Sequence, residues 1–297
     1  MSSQRVHVEW GNLALVCAVY IAWLAALALD SVLPWPASAI VIGVAIAWHG
    51  SLQHELLHGH PFSSQAVNNV LAHPPLAIRL PFLVYRREHL IHHDTPFLTD
   101  PEADPESFYV SAETWTRLGV LGRGIARFHN TLLGRLLVGP PVVFVRFGLS
   151  QWREVRSGDR EAVRCWLCHV PSVAAVLLVA LSVFGVRWWV YAIAVYIGHS
   201  LTLVRSFLEH RWIEDDATRC AMVRSGPVFS LLFLNNNLHD AHHVRPDVPW
   251  YRLPAVADEL GSDDRSMAGA GFHSGYASVL RRYAITPFDE PLHPLER

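Results

Sequence analysis

The sequence predicts an all-α polytopic membrane protein, with about four transmembrane helices in two hairpins and a cytoplasmic helical cap that holds a metal site. Three observations carry that prediction. Of the 297 residues, 51% are hydrophobic and only 17% charged, a balance more apolar than that of an average soluble domain. Four apolar runs approach the roughly 20 residues needed to cross a bilayer. Three histidine clusters lie beside those runs rather than inside them.

The first expected span runs from Leu13 to Leu33 and ends at the Pro34-Trp35-Pro36 turn. The second begins at Ala37 and is purely apolar to Trp48. It then turns polar through His49, Gln53 and His54 while staying helical to His58. The third covers Trp166 to Val186 and the fourth Trp188 to Leu208, with a break at Arg187 that makes them a hairpin. Trp35, Trp166, Trp188 and Trp189 fall at the expected ends, where indole rings favour the membrane interface. The shorter stretches Val67–Val84, Leu132–Phe147 and Val228–Leu234 are broken by Pro, Arg or Asn and read as interfacial or re-entrant helices.

Orientation follows from arginine, since the chain has no lysine. Between Gly59 and Cys165 there are 12 arginines, from Arg79 to Arg164, against Arg187 alone in the two short turns of the other side. The positive-inside rule then puts both termini and the long loop in the cytoplasm; the expected location is a bacterial inner membrane. With that topology every histidine cluster falls on the cytoplasmic side, as a shared metal centre requires. The chain reads as a single domain with a core of about residues 10–255. A polar tail of about 256–297, in which no chemistry is recognisable, follows it. No internal repeat is evident.

Other classes are excluded early. A net charge of −2 does not suit a nucleic-acid binder. Cys17, Cys165, Cys168 and Cys220 are too few in too long a chain for a disulfide framework. Cys165 and Cys168 have no second cysteine pair with which to form a zinc site, and read as helix packing. The polar stretch Met1 to Gly11 lacks the apolar core of a signal peptide.

The clusters read His54-Glu-Leu-Leu-His58, His89-Leu-Ile-His92-His93 and His239-Asp-Ala-His242-His243. Spacings of i, i+3 and i+4 put the rings of each cluster on one helical face. Chance predicts roughly 0.06 copies of His-x-x-His-His in such a chain; this one has two. Imidazole is the common ligand of Fe, Zn, Cu and Ni, so eight convergent rings point to more than one metal ion. Ligand rings need partners on their second nitrogen. The acidic neighbours in sequence, Glu55, Glu88, Asp94, Glu209 and Asp240, are the candidates. Asn236, with Asn235 and Asn237, either joins that shell or caps a helix. His60 adjoins the first cluster but points away from His54 if the helix continues. His199 lies about 16 Å from His210 by helical rise, too far to share its metal, and reads as a packed or hydrogen-bonded residue. His7, His129, His273 and His293 read as surface residues.

In this order, with helical hairpins between, the boxes HELLHGHP (His54–Pro61), EHLIHHDTPFLTDPEADPESFY (Glu88–Tyr109) and NNNLHDAHHVRPDVPWYRLP (Asn235–Pro254) resemble the integral-membrane fatty acid desaturase superfamily. That superfamily includes lipid desaturases, hydroxylases, and carotenoid ketolases and hydroxylases. The resemblance covers roughly residues 40–255. It implies a non-haem di-iron centre at the cytoplasmic face, O₂ as co-substrate, and the eight box histidines as ligands. It also implies a ninth, His210, after the fourth helix, in a segment where Ser206 replaces an Asn that holds a metal-bound water in some relatives. The implied reaction is first of all fatty acyl desaturation, with a lipid or acyl-chain substrate entering from the bilayer. The alternatives are hydroxylation or carotenoid ketolation on the same centre. Because no His-Pro-Gly-Gly haem segment is present, electrons are expected from a separate ferredoxin- or cytochrome-type donor. A metal transporter is the remaining reading, and the nearly bare middles of the apolar runs oppose it, because transporters place ionisable ligands there.

Overall fold

A computed structural model describes residues 8–297. His7 and most of the polar N-terminal stretch lie outside the described residues. Those described are largely helical, and their named strands form one short parallel pair. Helices α1 (Trp10–Leu29), α2 (Trp35–Leu57) and a third running Arg160–Val183 are long and apolar enough to cross a membrane. The protein is an all-α membrane protein. The fourth expected span forms as an 18-residue helix, Trp188–Arg205, but His199 and Arg205 dilute its apolar composition and it falls outside that set.

Local chemistry explains the boundaries. Trp35-Pro36 opens α2, proline being tolerated where the amide has no intrahelical partner. The third span starts at Arg160, six residues before the expected Trp166, because the Asp159 carboxylate accepts from the Glu161 and Ala162 amides and caps it. Its last turns, Leu178–Val183, widen into a π-helix.

Contacts divide the chain into two compact units, residues 8–86 with 143–202 and residues 87–142 with 203–297. In the first, Trp23, Leu27, Ile42, Ile46, Leu76, Val176, Val190 and Tyr191 form the core. The expected interfacial stretch Val67–Val84 is two helices, α3 (Gln65–Ala72) and α4 (Phe82–Asp94), with non-helical chain between. Bare carbonyls inside a membrane protein must find donors within it, and five are supplied. Tyr20 Oη donates to Leu71 O at 2.6 Å, Gln53 Nε2 to Ala72 O at 2.8 Å and Tyr191 Oη to Leu76 O at 2.8 Å. His199 Nε2 donates to Ala77 O at 3.3 Å and His169 Nε2 to Ile78 O at 3.1 Å. His199 is thus the hydrogen-bonded helix residue expected.

The second unit contains α5 (Ala112–Arg117), α6 (Val120–His129), α7 (Leu132–Leu137) and the start of α8 (Gly139–Arg156). In the first unit α9 (Arg160–Leu177) and α10 (Trp188–Arg205) follow. The second then continues with α11 (Pro227–Leu232), α12 (His239–Val244), α13 (Leu253–Glu259), α14 (Ser262–Ala268) and α15 (Tyr276–Tyr283). Strands β1 (Met222–Val223) and β2 (Phe272–His273) pair in parallel, with Met222 opposite Phe272. Residues 256–297, read in the sequence as a polar tail without recognisable chemistry, are folded, and Tyr276, Val279, Tyr283 and Phe288 pack with Phe207 and Phe233 in this unit's core. One expectation fails here. His129, His273 and His293 are buried rather than on the surface; their rings pack against Phe108, Tyr283 and Tyr109. None of the four cysteines forms a disulfide; Cys165 is buried and Cys168 exposed.

Helices α2 and α10 meet where both lack side chains. A Cβ on Gly198 would lie 2.6 Å from Ile46 Cγ2 and 3.0 Å from Gly43 O, whereas one on Gly148 meets nothing within 4 Å. Gly198→Ala should therefore cost about 1–3 kcal/mol by overpacking. Gly148→Ala should stay within about 0.5 kcal/mol of the parent. Unfolding in mild detergent measures both, and equal stability of the two variants contradicts the close crossing.

Candidate metal centre

Helix α4 presents His89, His92 and His93, and α12 presents His239, His242 and His243, each at the spacing that aligns one helical face. His210 follows α10 in an antiparallel bridge with Cys220. One nitrogen from each of His92, His210, His239 and His243 falls within 4.8 Å of the others. In that group His92 Nε2 lies 3.0 Å from His210 Nε2, which lies 2.9 Å from His239 Nε2. A second set in the same unit joins His89, His93 and His242, with His93 Nε2 3.1 Å from the Nε2 atoms of both His89 and His242. In the first unit, His54 and His58 stand at the end of α2 with ring centroids 4.8 Å apart.

These contacts suit a metal better than protons. Two imidazole nitrogens in contact share at most one proton, so a chain of facing lone pairs is poorly satisfied by protons alone. A cation satisfies every lone pair at once. His243 Nε2 is buried with no hydrogen-bond partner among the described residues. A donor set of neutral imidazoles suits a borderline transition metal such as iron.

The outward nitrogens are held by carboxylates. His92 Nδ1 donates to Asp104 Oδ1 and His89 Nδ1 to Glu106 Oε1, both at 2.8 Å. Asp104 is itself fixed by the Thr99 and Glu106 amides, each at 2.9 Å. Glu209 Oε1 lies 3.8 Å from His239 Nδ1 and accepts from Asn236 Nδ2 at 3.2 Å, with Arg205 Nε at 3.3 Å. Cys220 Sγ lies 3.6 Å from His210 Nδ1. Such contacts fix the tautomer and turn the second nitrogen inward.

Charge follows from this arrangement. Burial, reinforced by neighbouring histidines, holds His210, His239 and His243 well below the ordinary imidazole value and takes His93 down to about 2. Burial also pushes His92 down, but Glu106, Asp104 and Glu209 together outweigh it and raise this ring to about 9. Burial pushes Glu209 up. It opposes the ionisation of Glu106 too, yet His89 and His92 hold that carboxyl well below its ordinary value.

Of the carboxylates nearest the boxes in sequence, Glu209 lies beside a cluster histidine and Asn236 reaches it through Glu209. Asp240 instead accepts two bonds from Arg265 Nη2, at 2.8 and 2.7 Å, which ties α14 to α12. Glu88 lies 3.9 Å from Arg87, and Asp94 lines a shallow surface groove with Leu90, Ile91 and Thr95. Glu55 is buried on α2. His60 Nδ1 bonds Glu9 Oε2 at 2.8 Å, so this ring secures the start of α1. Sequence reasoning missed Asp104 and Glu106, which lie 12 and 17 residues from their histidines. The acidic run Asp100–Glu106, inside the second box, was the available signal.

Buried imidazoles that converge and are braced by carboxylates, in a chain with membrane-spanning helices, form a site able to hold metal. Residues 30–275 match the family model described as fatty acid desaturase; the chain belongs to that family and is an oxidoreductase-type enzyme. No curated protein matches it significantly.

Metal loading should depend on pH through His92. A ligand nitrogen must be deprotonated, so a ring that titrates at about 9 when metal-free releases a proton on binding at any lower pH. Its contribution to affinity should rise about tenfold per pH unit up to that value and then level off. Asp104→Asn should shift this dependence to lower pH, with Glu106 still raising the ring, and weaken binding about 10–100-fold. Metal titrations at several pH values, in buffers of different ionisation enthalpy, measure both effects. A pH-independent affinity from pH 6 to 9 contradicts the assignment.

Proposed function

We propose that this protein is an O₂-dependent di-iron oxidoreductase that introduces a double bond into a fatty acyl chain drawn from the bilayer. His92, His210, His239 and His243 hold one iron. His89, His93 and His242, joined by His54 and His58, hold the other. The whole chain acts as a single catalytic domain with its metal centre and termini on the cytoplasmic side of a bacterial inner membrane. The observation that carries this reading is the all-imidazole donor set in which the second nitrogens of His92 and His89 are tied to Asp104 and Glu106, together with the family match.

Bound iron supplies the reduction of O₂ and the power to oxidise an unactivated C–H bond. The protein supplies the rest. Asp104 and Glu106 accept the Nδ1 protons of His92 and His89, so that each ring offers its Nε2 lone pair inward. Glu209, held by Asn236 and Arg205, stands toward the Nδ1 edge of His239. Burial keeps the rings of His93, His210, His239 and His243 uncharged, and neutral ligands would leave the metals' positive charge uncancelled. In balance, two hydrogens leave the acyl chain while two electrons from a ferredoxin- or cytochrome-type donor and two protons from solvent complete the conversion of O₂ to two waters. His169 and His199 serve the fold by donating to backbone carbonyls, which argues against a transport path through them.

Lipid and carotenoid profiling of a host expressing the protein, beside its His92→Ala variant, tests the reaction. The expected product is an acyl chain lighter by two hydrogens, absent with the variant. Gain of one oxygen makes the protein a hydroxylase, and a keto-carotenoid makes it a ketolase; either result overturns the desaturase assignment while keeping the oxidoreductase class.

A further inference from the structure

We propose that the tip of the α8–α9 hairpin is a binding site for the phosphate headgroups of anionic phospholipids, independent of the reaction catalysed. From residue 143 onward α8 belongs to the same compact unit as α9. The two run side by side, with Trp166 Nε1 donating to Gln151 Oε1 at 3.3 Å and the Phe147 and Trp166 rings 6.4 Å apart. The reversal is tight. Ser157 and Gly158 carry it, with Gly158 at φ +83°, and Asp159 then caps α9.

Two features coincide on this hairpin. Phe144, Val145, Leu149 and Trp152 fall on one face of α8 and are each more than half exposed, Trp152 at 62%. The membrane-spanning α9 likewise turns Leu167 and Val170 outward. Beyond this apolar band, Arg153, Arg156, Arg160 and Arg164 are all exposed. Among the described residues, none of these four guanidinium groups has an ion pair or a side-chain hydrogen bond. Of the nearby carboxylates, Asp159 is engaged in capping α9.

An apolar band with an indole at its edge and unpaired arginines just past it is the profile of a bilayer boundary. The side chains of the band enter the acyl region, Trp152 takes the interface, and the guanidinium groups meet phosphate. A water-soluble acidic protein would satisfy the arginines but leave the apolar band exposed. A second copy of this surface would set arginine against arginine.

The test is lipid retention by the full-length protein. In mild detergent it is equilibrated with equal amounts of phosphatidylglycerol and phosphatidylcholine, and bound lipids are counted by native mass spectrometry. The wild type should retain phosphatidylglycerol in preference by at least about tenfold. That preference should fall when salt is raised to about 0.5 M. It should be lost in R153Q/R156Q/R160Q/R164Q and kept in R117Q/R123Q/R127Q/R281Q, which removes the same charge elsewhere. If the quadruple variant does not fold, R153Q/R156Q and R160Q/R164Q should each lose part of the preference, and the salt effect needs no substitution. Equal retention of the two lipids by the wild type, or a preference unchanged by the hairpin substitutions, overturns the proposal. So does a raised KM for an acidic ferredoxin without change in lipid retention, which makes the surface a protein dock. A dimer that dissociates on the same substitutions, again with lipid retention unchanged, overturns it as a self-association surface.

Discussion

Imidazole nitrogen set against imidazole nitrogen, away from water, is the constraint on which the metal-site half of the chain is built. His92, His210, His239 and His243 bring their nitrogens within 4.8 Å of one another. Had these rings been charged, they would repel one another in a medium that screens little. The protein keeps most of them neutral by burial. It allows one exception, His92, where Asp104 and Glu106 stand close enough to hold a proton. That exception is consistent with a metal site: the ring that carries the extra proton is also the one best anchored for ligation once the proton leaves.

Much of the remaining architecture follows from the need to anchor the outward edges of these rings. The loop after α4 folds back so that Asp104 and Glu106 reach His92 and His89, and the Thr99 amide fixes Asp104 in turn. The residues after α13 are drawn in for the same purpose. Arg265 clamps Asp240, the neighbour of His239, while Tyr276, Val279 and Tyr283 close the apolar core beneath. In the membrane-spanning half the corresponding problem is the bare backbone between α3 and α4. There, tyrosine, glutamine and histidine side chains take the place of water as donors. Polar groups in both halves thus work by satisfying partners that burial has stripped of solvent.

How much of this was legible in the sequence depended on the range of the interaction. The spans and the histidine faces rest on local periodicity, and the helices Trp10–Leu29 and Trp35–Leu57 fall within a few residues of their expected bounds. Glu209 was legible because it adjoins His210. Asp104 and Glu106 were not, since their partners lie more than three helical turns away and only the folded loop brings them together. Asp240 misled for the opposite reason. Adjacent residues on a helix point about 100° apart, so a neighbour of His239 was free to turn to Arg265. The tail looked inert because its polar composition hides the spacing of Tyr276, Val279 and Tyr283, whose apolar neighbours come from distant segments. Burial of His129, His273 and His293 was equally invisible, because nothing local distinguishes a packed imidazole from a solvated one.

The metal content and coordination of the purified chain, expressed with ample iron, test the central claim most directly. X-ray absorption at the iron edge, combined with elemental analysis, should find a pair of irons per chain surrounded mainly by nitrogen. A single metal per chain, zinc in place of iron, or a coordination shell dominated by oxygen would contradict the account.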